Sequence, residues 1–183
     1  MVGVKQETAY EIGYALLNRT KRAYFEDDFP LFASAFLLPH EHVTLHGWAV
    51  LQTEEDLRVL FDRMKAEFQR LEVDDIVRPL VSAEFVTPFN ILATAESHIF
   101  SRGRRVAEPY AVQSTLLLCG TEWRIATANY CIPLSTKGLP DALMPPAFPS
   151  EGRGQQEGSM MPSCGDDVTG QSDRNRPRYG EVS

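Results

Sequence analysis

Cysteine, basic charge and long apolar runs are all scarce in this chain, and each scarcity excludes a class of protein. The three cysteines, Cys119, Cys131 and Cys164, show no Cys-x-x-Cys spacing. An odd number suits a reducing compartment better than a disulfide framework, so they are read as free thiols. Cys119 and Cys131 fall in apolar strand-like runs and read as inert core residues. Lys and Arg number 18 against 25 Asp and Glu, a formal net charge of −7. Phosphate binding needs clustered cations to displace counterions, so no nucleic-acid partner is expected, and an anionic membrane surface is disfavoured for the same reason. Nowhere does the chain carry the roughly 18 uncharged apolar residues in a row that mark a membrane span. Met1 to Gln6 place no apolar run behind Lys5, so no standard export signal is read there and the expected location is the cytoplasm.

What the chain does have is apolar material enough for one core: 43% of its 183 residues are hydrophobic and 10% aromatic. That is one domain's worth. Composition changes after Ile132-Pro133, since residues 135–183 hold seven of the 12 Gly and six of the 12 Pro. A segment of that kind buries too little surface to offset its ordering entropy. The domain is therefore read as residues 1–134 and the remainder as a disordered or loosely docked tail. Leu139, Leu143, Met144 and Phe148 are its candidates for docking onto the body.

Hydrophobic rhythm sets the elements. Ala9, Ile12, Gly13, Leu16, Leu17, Thr20 and Tyr24 recur at helical spacing behind a Thr8-x-x-Glu11 capping box, which predicts a helix from Thr8 to Tyr24. A second helix is expected from Pro30 to Leu37, with Asp28 as its cap; Asp27 and Asp28 read as helix-start residues rather than an acid/base pair. His42 to Leu51 alternates as an extended segment broken at Gly47. Thr53 then caps a third helix with an acidic first turn, Glu54-Glu55-Asp56. Its stripe of Leu57, Leu60, Phe61, Met64, Phe68 and Leu71 is core, each side chain contributing about 1.5 to 3 kcal/mol when buried. From Ile76 the period becomes two, in runs Ile76 to Thr87, Ile91 to Phe100, Val106 to Cys119 and Trp123 to Ile132. Short connections make these an antiparallel meander. The class is α+β, three N-terminal helices packed on the concave face of a curved, mainly antiparallel sheet.

That order of elements, with its Gly120-Thr121-Glu122-Trp123-Arg124-Ile125 ending, resembles the nuclear-transport-factor-2-like superfamily, including its SnoaL-like and ketosteroid-isomerase-like branches, over residues 7–132. The resemblance implies a cone-shaped, cystatin-like fold and a homodimer. It implies no single activity, because the scaffold hosts isomerases, dehydratases, cyclases and non-catalytic adaptors. The isomerase branch has a Tyr on the first helix and an Asp on the first strand where this chain has Thr20 and Thr44. A further acidic residue of that branch falls near Val112 to Ser114. These departures argue against ketosteroid isomerase chemistry.

Candidate site residues follow from the strand faces. His40, His42 and His46 lie within one short segment, and His42, Thr44 and His46 share a face that can look into the mouth of the cone. A histidine there can serve as a general base, or it can simply sit at a strand edge. A metal site would need further converging ligands, and neither a metal nor a cofactor is expected. On the strand Ile91 to Phe100 the small residues Ala93, Ala95, Ser97 and Ile99 are assigned inward, leaving Glu96 and His98 outward. Glu108, Tyr110, Val112, Ser114 and Leu116 are the inward set of the next strand, and Ala126, Ala128, Tyr130 and Ile132 that of the last, with Trp123, Ile125, Thr127 and Asn129 outward. The expected ligand pocket is thus His42, His46, Glu108, Tyr110 and Tyr130 in apolar surroundings suited to a small hydrophobic or aromatic molecule. If chemistry occurs there, it would be cofactor-free proton transfer of isomerase, dehydratase or cyclase type, with His42 or His46 as base and Tyr110 or Tyr130 as hydrogen-bond donor. The alternative is a non-catalytic interaction module that uses the outer sheet face. Arg102-Gly103-Arg104-Arg105 reads as a solvated basic hairpin tip.

Overall fold

The computed structural model describes residues 7–45, 47–132 and 142–143. The tail beyond residue 132, apart from Ala142 and Leu143, therefore lies outside the described residues. Helix α1 spans Ala9–Glu26 and opens on the expected capping box: Glu11 N–H donates to Thr8 Oγ1 at 3.2 Å and Thr8 N–H to Glu11 Oε2 at 2.9 Å. It buries Ala9, Ile12, Gly13, Leu16, Thr20 and Ala23. The helix runs on to Asp27, whose left-handed φ of 57° ends it. Asp27 is thus the stop of α1, ion-paired to Lys65, and only Asp28 starts a helix, its Oδ1 accepting from Leu31 N–H at 2.8 Å.

That helix, α2, covers Phe29–Ala33 and is shorter than the expected Pro30 to Leu37. Tertiary pairing overrides the local pattern: Ile125 N–H donates to Ala35 O at 2.8 Å, and Phe36 opens strand β1 (Phe36–Thr44). Strand β2 (Gly47–Leu51) folds back on β1, and α3 (Glu54–Arg70) follows behind its Thr53 cap. The α3 stripe of Leu57, Leu60, Phe61, Met64 and Phe68 is buried.

The run from Ile76 divides into β3 (Asp75–Val77) and β4 (Leu80–Thr87). Pro79 has no N–H for the ladder, so pairing lapses across Arg78-Pro79. Both pieces lie against β5 (Asn90–Ser101), the long strand on which the sheet is built. Residues Arg104–Arg105 form the short β6, also against β5. Strand β7 (Tyr110–Cys119) starts later than expected because Pro109 breaks the ladder, and β8 (Glu122–Cys131) closes the meander. The sheet order is β2-β1-β8-β7-β5-β3, with β4 and β6 also paired to β5; β1 and β8 run parallel and every other pair antiparallel. Helices cover one face of this curved sheet, giving the α+β architecture read from the sequence.

Burial along β5 follows the expected alternation: Ile91, Ala93, Ala95, Ser97 and Ile99 are buried, while Glu96 and His98 lie on the other face with Oε1 and Nε2 3.5 Å apart. On β8 the alternation fails at one point. A register shift between Thr115 and Leu116 pairs Leu116 with Ile125 and Thr115 with Thr127. The bulge inserts a residue and reverses the parity, so Ile125 is buried rather than outward. Cys131 is free, as expected, but exposed rather than in the core, and Cys119 departs from expectation in being half-buried and disulfide-bonded. The basic tip is tied down rather than simply solvated, since Arg102 bonds Glu72 at 2.8 Å and its N–H donates to Asp74 at 2.6 Å. Among the described residues no helix is long and apolar enough to cross a membrane.

Candidate functional site

An interior cavity of about 60 Å³ lies between the helices and the sheet, and nearly every element contributes to its wall. Helix α1 supplies Leu17, Thr20 and Tyr24, α2 Phe32, and α3 Met64 and Phe68. The sheet supplies Phe36, Ile76, Ala95, Ser97, Ile99, Tyr110, Val112, Ser114, Ile125, Ala128 and Tyr130, and Leu143 adds a patch from beyond the last strand. The remaining lining residue is Arg78. In size the cavity is less than half of the about 150 Å³ that accommodates benzene in an engineered apolar void.

The wall is apolar with a polar group set into it. Tyr24 is fixed by its ring, stacked on Phe61 at 5.2 Å and edge-on to Phe68 at 5.2 Å. Burial raises the pKa of Tyr24, Tyr110 and Tyr130 above the ordinary phenol range, so all three stay neutral donors. Arg78 is held in register by β3: Ile76 pairs with Ile99 and Val77 with His98, so Arg78 falls opposite Ser97 on the inward face. Its Nη2 donates to Leu17 O at 2.5 Å. Arg78 also borders an open groove beside Tyr14 and Lys21 and is partly exposed. Its pKa is lowered by burial, with the phenols of Tyr110, Tyr24 and Tyr130 acting in the opposite sense. No carboxylate pairs with it among the described residues.

The expected site residues separate on this geometry. Tyr110 and Tyr130 line the cavity. His42 does not; it lies one layer out, its ring 4.7 Å from that of Tyr130 and its Nε2 2.6 Å from Leu143 O. A carbonyl only accepts, so Nε2 carries the proton and Nδ1 is left bare and without a partner. His40 stands beside it, ring centroids 6.2 Å apart, with Nδ1 donating to Ile125 O at 3.3 Å and Nε2 bare. Both rings are wholly buried. Burial pushes His40 down to about 3, with His42 adding to the effect, and burial pushes His42 down to about 4. Glu108 is exposed and off the strand, because the alternation counted from Tyr110 stops at Pro109. His46 lies outside the described residues.

Tyr24, which the sequence places on the apolar stripe of α1, Arg78 and Leu143 all escape the reading of strand faces. Arg78 is legible in principle: within the run from Ile76 it alternates with Ile76 and Leu80, a lone cation on a strand's core face. Leu143 is one of four docking candidates in the tail, and nothing local to the sequence singles out its contact with His42. Among the described residues no group of three or more His, Cys, Asp or Glu side chains converges as metal ligands do.

No protein-family model matches the chain, and no curated protein sequence does. Solved structures do resemble it. A protein of unknown function with a cystatin-like fold from Nostoc punctiforme superposes with a TM-score of 0.56 at 15% identity, over 71% of this chain and 96% of its own. A nuclear-transport-factor-2-like protein with a cystatin-like fold from Novosphingobium aromaticivorans gives 0.54 at 16% identity, over 74% and 88%. A nuclear-transport-factor-2-like protein of unknown function from Shewanella oneidensis gives 0.50 at 6% identity, over 66% and 97%. At such identities the likeness shows the fold alone.

Proposed function

We propose that this domain, which has the nuclear-transport-factor-2-like fold, binds a small organic molecule in the cavity between its helices and its sheet. The observation that carries the reading is the set of polar groups left open on an otherwise apolar wall. The half-buried Tyr24 and Tyr130 donate no side-chain hydrogen bond among the described residues, and Arg78, also half-buried, has no counter-charge there. A core built for stability alone would pair such groups or omit them.

Binding is the part of the reading that the geometry supports. The described lining holds no Asp, Glu, Lys or His, so the proton transfer expected of His42 has no base at the cavity wall, and His42 reaches it only through Tyr130 and Leu143. The test is a thermal-shift screen of small organic compounds against the full chain and against Ala95→Leu and Ala128→Val, which put methyl groups into the space. Compounds that raise the melting temperature of the wild type and leave both variants unmoved support the reading. Equal responses in all three proteins would remove it.

A second reading rests on a different observation. Trp48 on β2 is 72% exposed and pairs with Val43 on the sheet's outer face, as a contact with a second copy would need. Light scattering of wild type and Trp48→Lys checks it: a dimer that the substitution dissociates supports self-association through this face, and an unchanged mass opposes it.

A further inference from the structure

We propose that the molecule bound in the cavity is a short-chain monocarboxylate, its carboxylate held by Arg78, Tyr24 and Tyr130 and its hydrocarbon part by the apolar wall. The proposal deepens the binding reading above and rests on it.

Charge comes first. A guanidinium cannot shed its proton in a protein, so Arg78 cannot relieve its burial by becoming neutral as a lysine or histidine would. Taking such a cation even partly out of water is costly unless an anion compensates it. The described wall offers none: its polar groups around Arg78 are phenols and hydroxyls, and among the described residues Arg78 bonds to Leu17 O. Lys65 and Arg70, by contrast, have their carboxylates at Asp27 and Glu67. A cation on a cavity wall with no carboxylate partner among the described residues is a standing demand for a counter-anion.

Geometry and donor count narrow the class. A carboxylate offers about four lone-pair positions, and a guanidinium can fill two of them side by side. The Tyr24 and Tyr130 hydroxyls, neither donating a side-chain hydrogen bond among the described residues, can fill the others, while Tyr110 is engaged with Ser97. Every polar side chain of the described wall can donate and none is acidic, so an anionic head meets no repulsion. One cation matches one negative charge, which disfavours a phosphate dianion. The cavity of about 60 Å³ is too small for an aromatic ring but suits a few carbon atoms resting on Leu17, Met64 and Val112.

The experiment is calorimetric titration of the full chain in chloride-free buffer with acetate, propionate and butyrate, with propionamide and butyramide as neutral isosteres and with sodium chloride, repeated on Arg78→Met and Arg78→Lys. The expected result is saturable binding of propionate or butyrate, with the amides and Arg78→Met weaker by about thirtyfold or more and Arg78→Lys intermediate. Thermal melts confirm that each variant is folded, and Arg78→Lys serves if Arg78→Met is not. Amides that bind as tightly as acids, or acid binding unchanged in both Arg78 variants, would overturn the carboxylate assignment while leaving cavity binding intact. Chloride binding as tightly as propionate would overturn it too, in favour of a simple halide site. If no acid binds, the assignment falls, and the separate screen with Ala95→Leu and Ala128→Val shows whether the cavity reading falls with it.

Discussion

Acid should unfold this domain through two histidines before its carboxylates take part. His40 and His42 are wholly buried and neutral, each with one bare nitrogen, and their pKa values stand at about 3 and about 4 against an ordinary 6.5. In the unfolded chain both titrate near 6.5, so below that pH the unfolded state binds more protons than the folded one. Stability is therefore full above about pH 6.5, is lost as the pH falls through the window down to about 4, and has no further histidine contribution to lose below about 3. Each proton that only the unfolded chain binds is worth about 1.4 kcal/mol for every pH unit, so the two groups together should remove about 2.7 kcal/mol per pH unit inside the window. Between pH 7 and pH 5 that amounts to about 4 kcal/mol, a large part of the 5 to 15 kcal/mol typical of a domain. Urea unfolding followed by circular dichroism at pH 7, 6, 5 and 4.5 measures it. His42→Gln keeps a donor for Leu143 O but does not titrate, and should halve the slope. A stability that changes by less than about 0.5 kcal/mol from pH 7 to 5, or an undiminished slope in His42→Gln, would refute the assignment of these rings as buried neutral groups.

Three further outcomes are expected. Leu143→Ala should cost about 2 to 5 kcal/mol in urea unfolding, since the side chain is 3% exposed, and should let larger compounds raise the melting temperature. Arg78→Met should leave the unliganded protein at least as stable as wild type, because it removes a half-buried cation that has no carboxylate partner among the described residues; a loss of several kcal/mol would show that the cation is structural. Asp28→Ala should lower stability by about 1 kcal/mol through loss of the bond to Leu31 N–H, and an unchanged urea midpoint would contradict that role.

The helices and the meander were legible because each carries its own period and caps: Thr8, Asp28 and Thr53 mark their helix starts in the sequence and cap them in the structure. The inward set of β5 was equally readable, small residues alternating beneath packed helices. Misreadings came where a nonlocal contact or a missing N–H overrode the pattern. Leu37 left its expected helix for a strand beside β8, Pro79 and Pro109 cut two strands, and the bulge on β8 turned Ile125 inward. The site was less legible than the fold, since the same alternation that placed Tyr110 and Tyr130 at the cavity set His42 on the inward face without showing that Tyr130 and Leu143 stand between it and the cavity. Arg78 was the opposite case: the alternation put it in place, but its importance appears only when no carboxylate is found to pair with it among the described residues.

Methyl NMR of the full chain during titration with butyrate is the sharpest check on the cavity as a binding site. Saturable shifts are expected at the methyl groups that face the space, those of Met64, Ile76, Ile99, Val112, Ile125 and Leu143, with the surface methyls of Val81 and Val86 unmoved. Shifts confined to the surface methyls, or none that saturate, would contradict butyrate binding in the cavity.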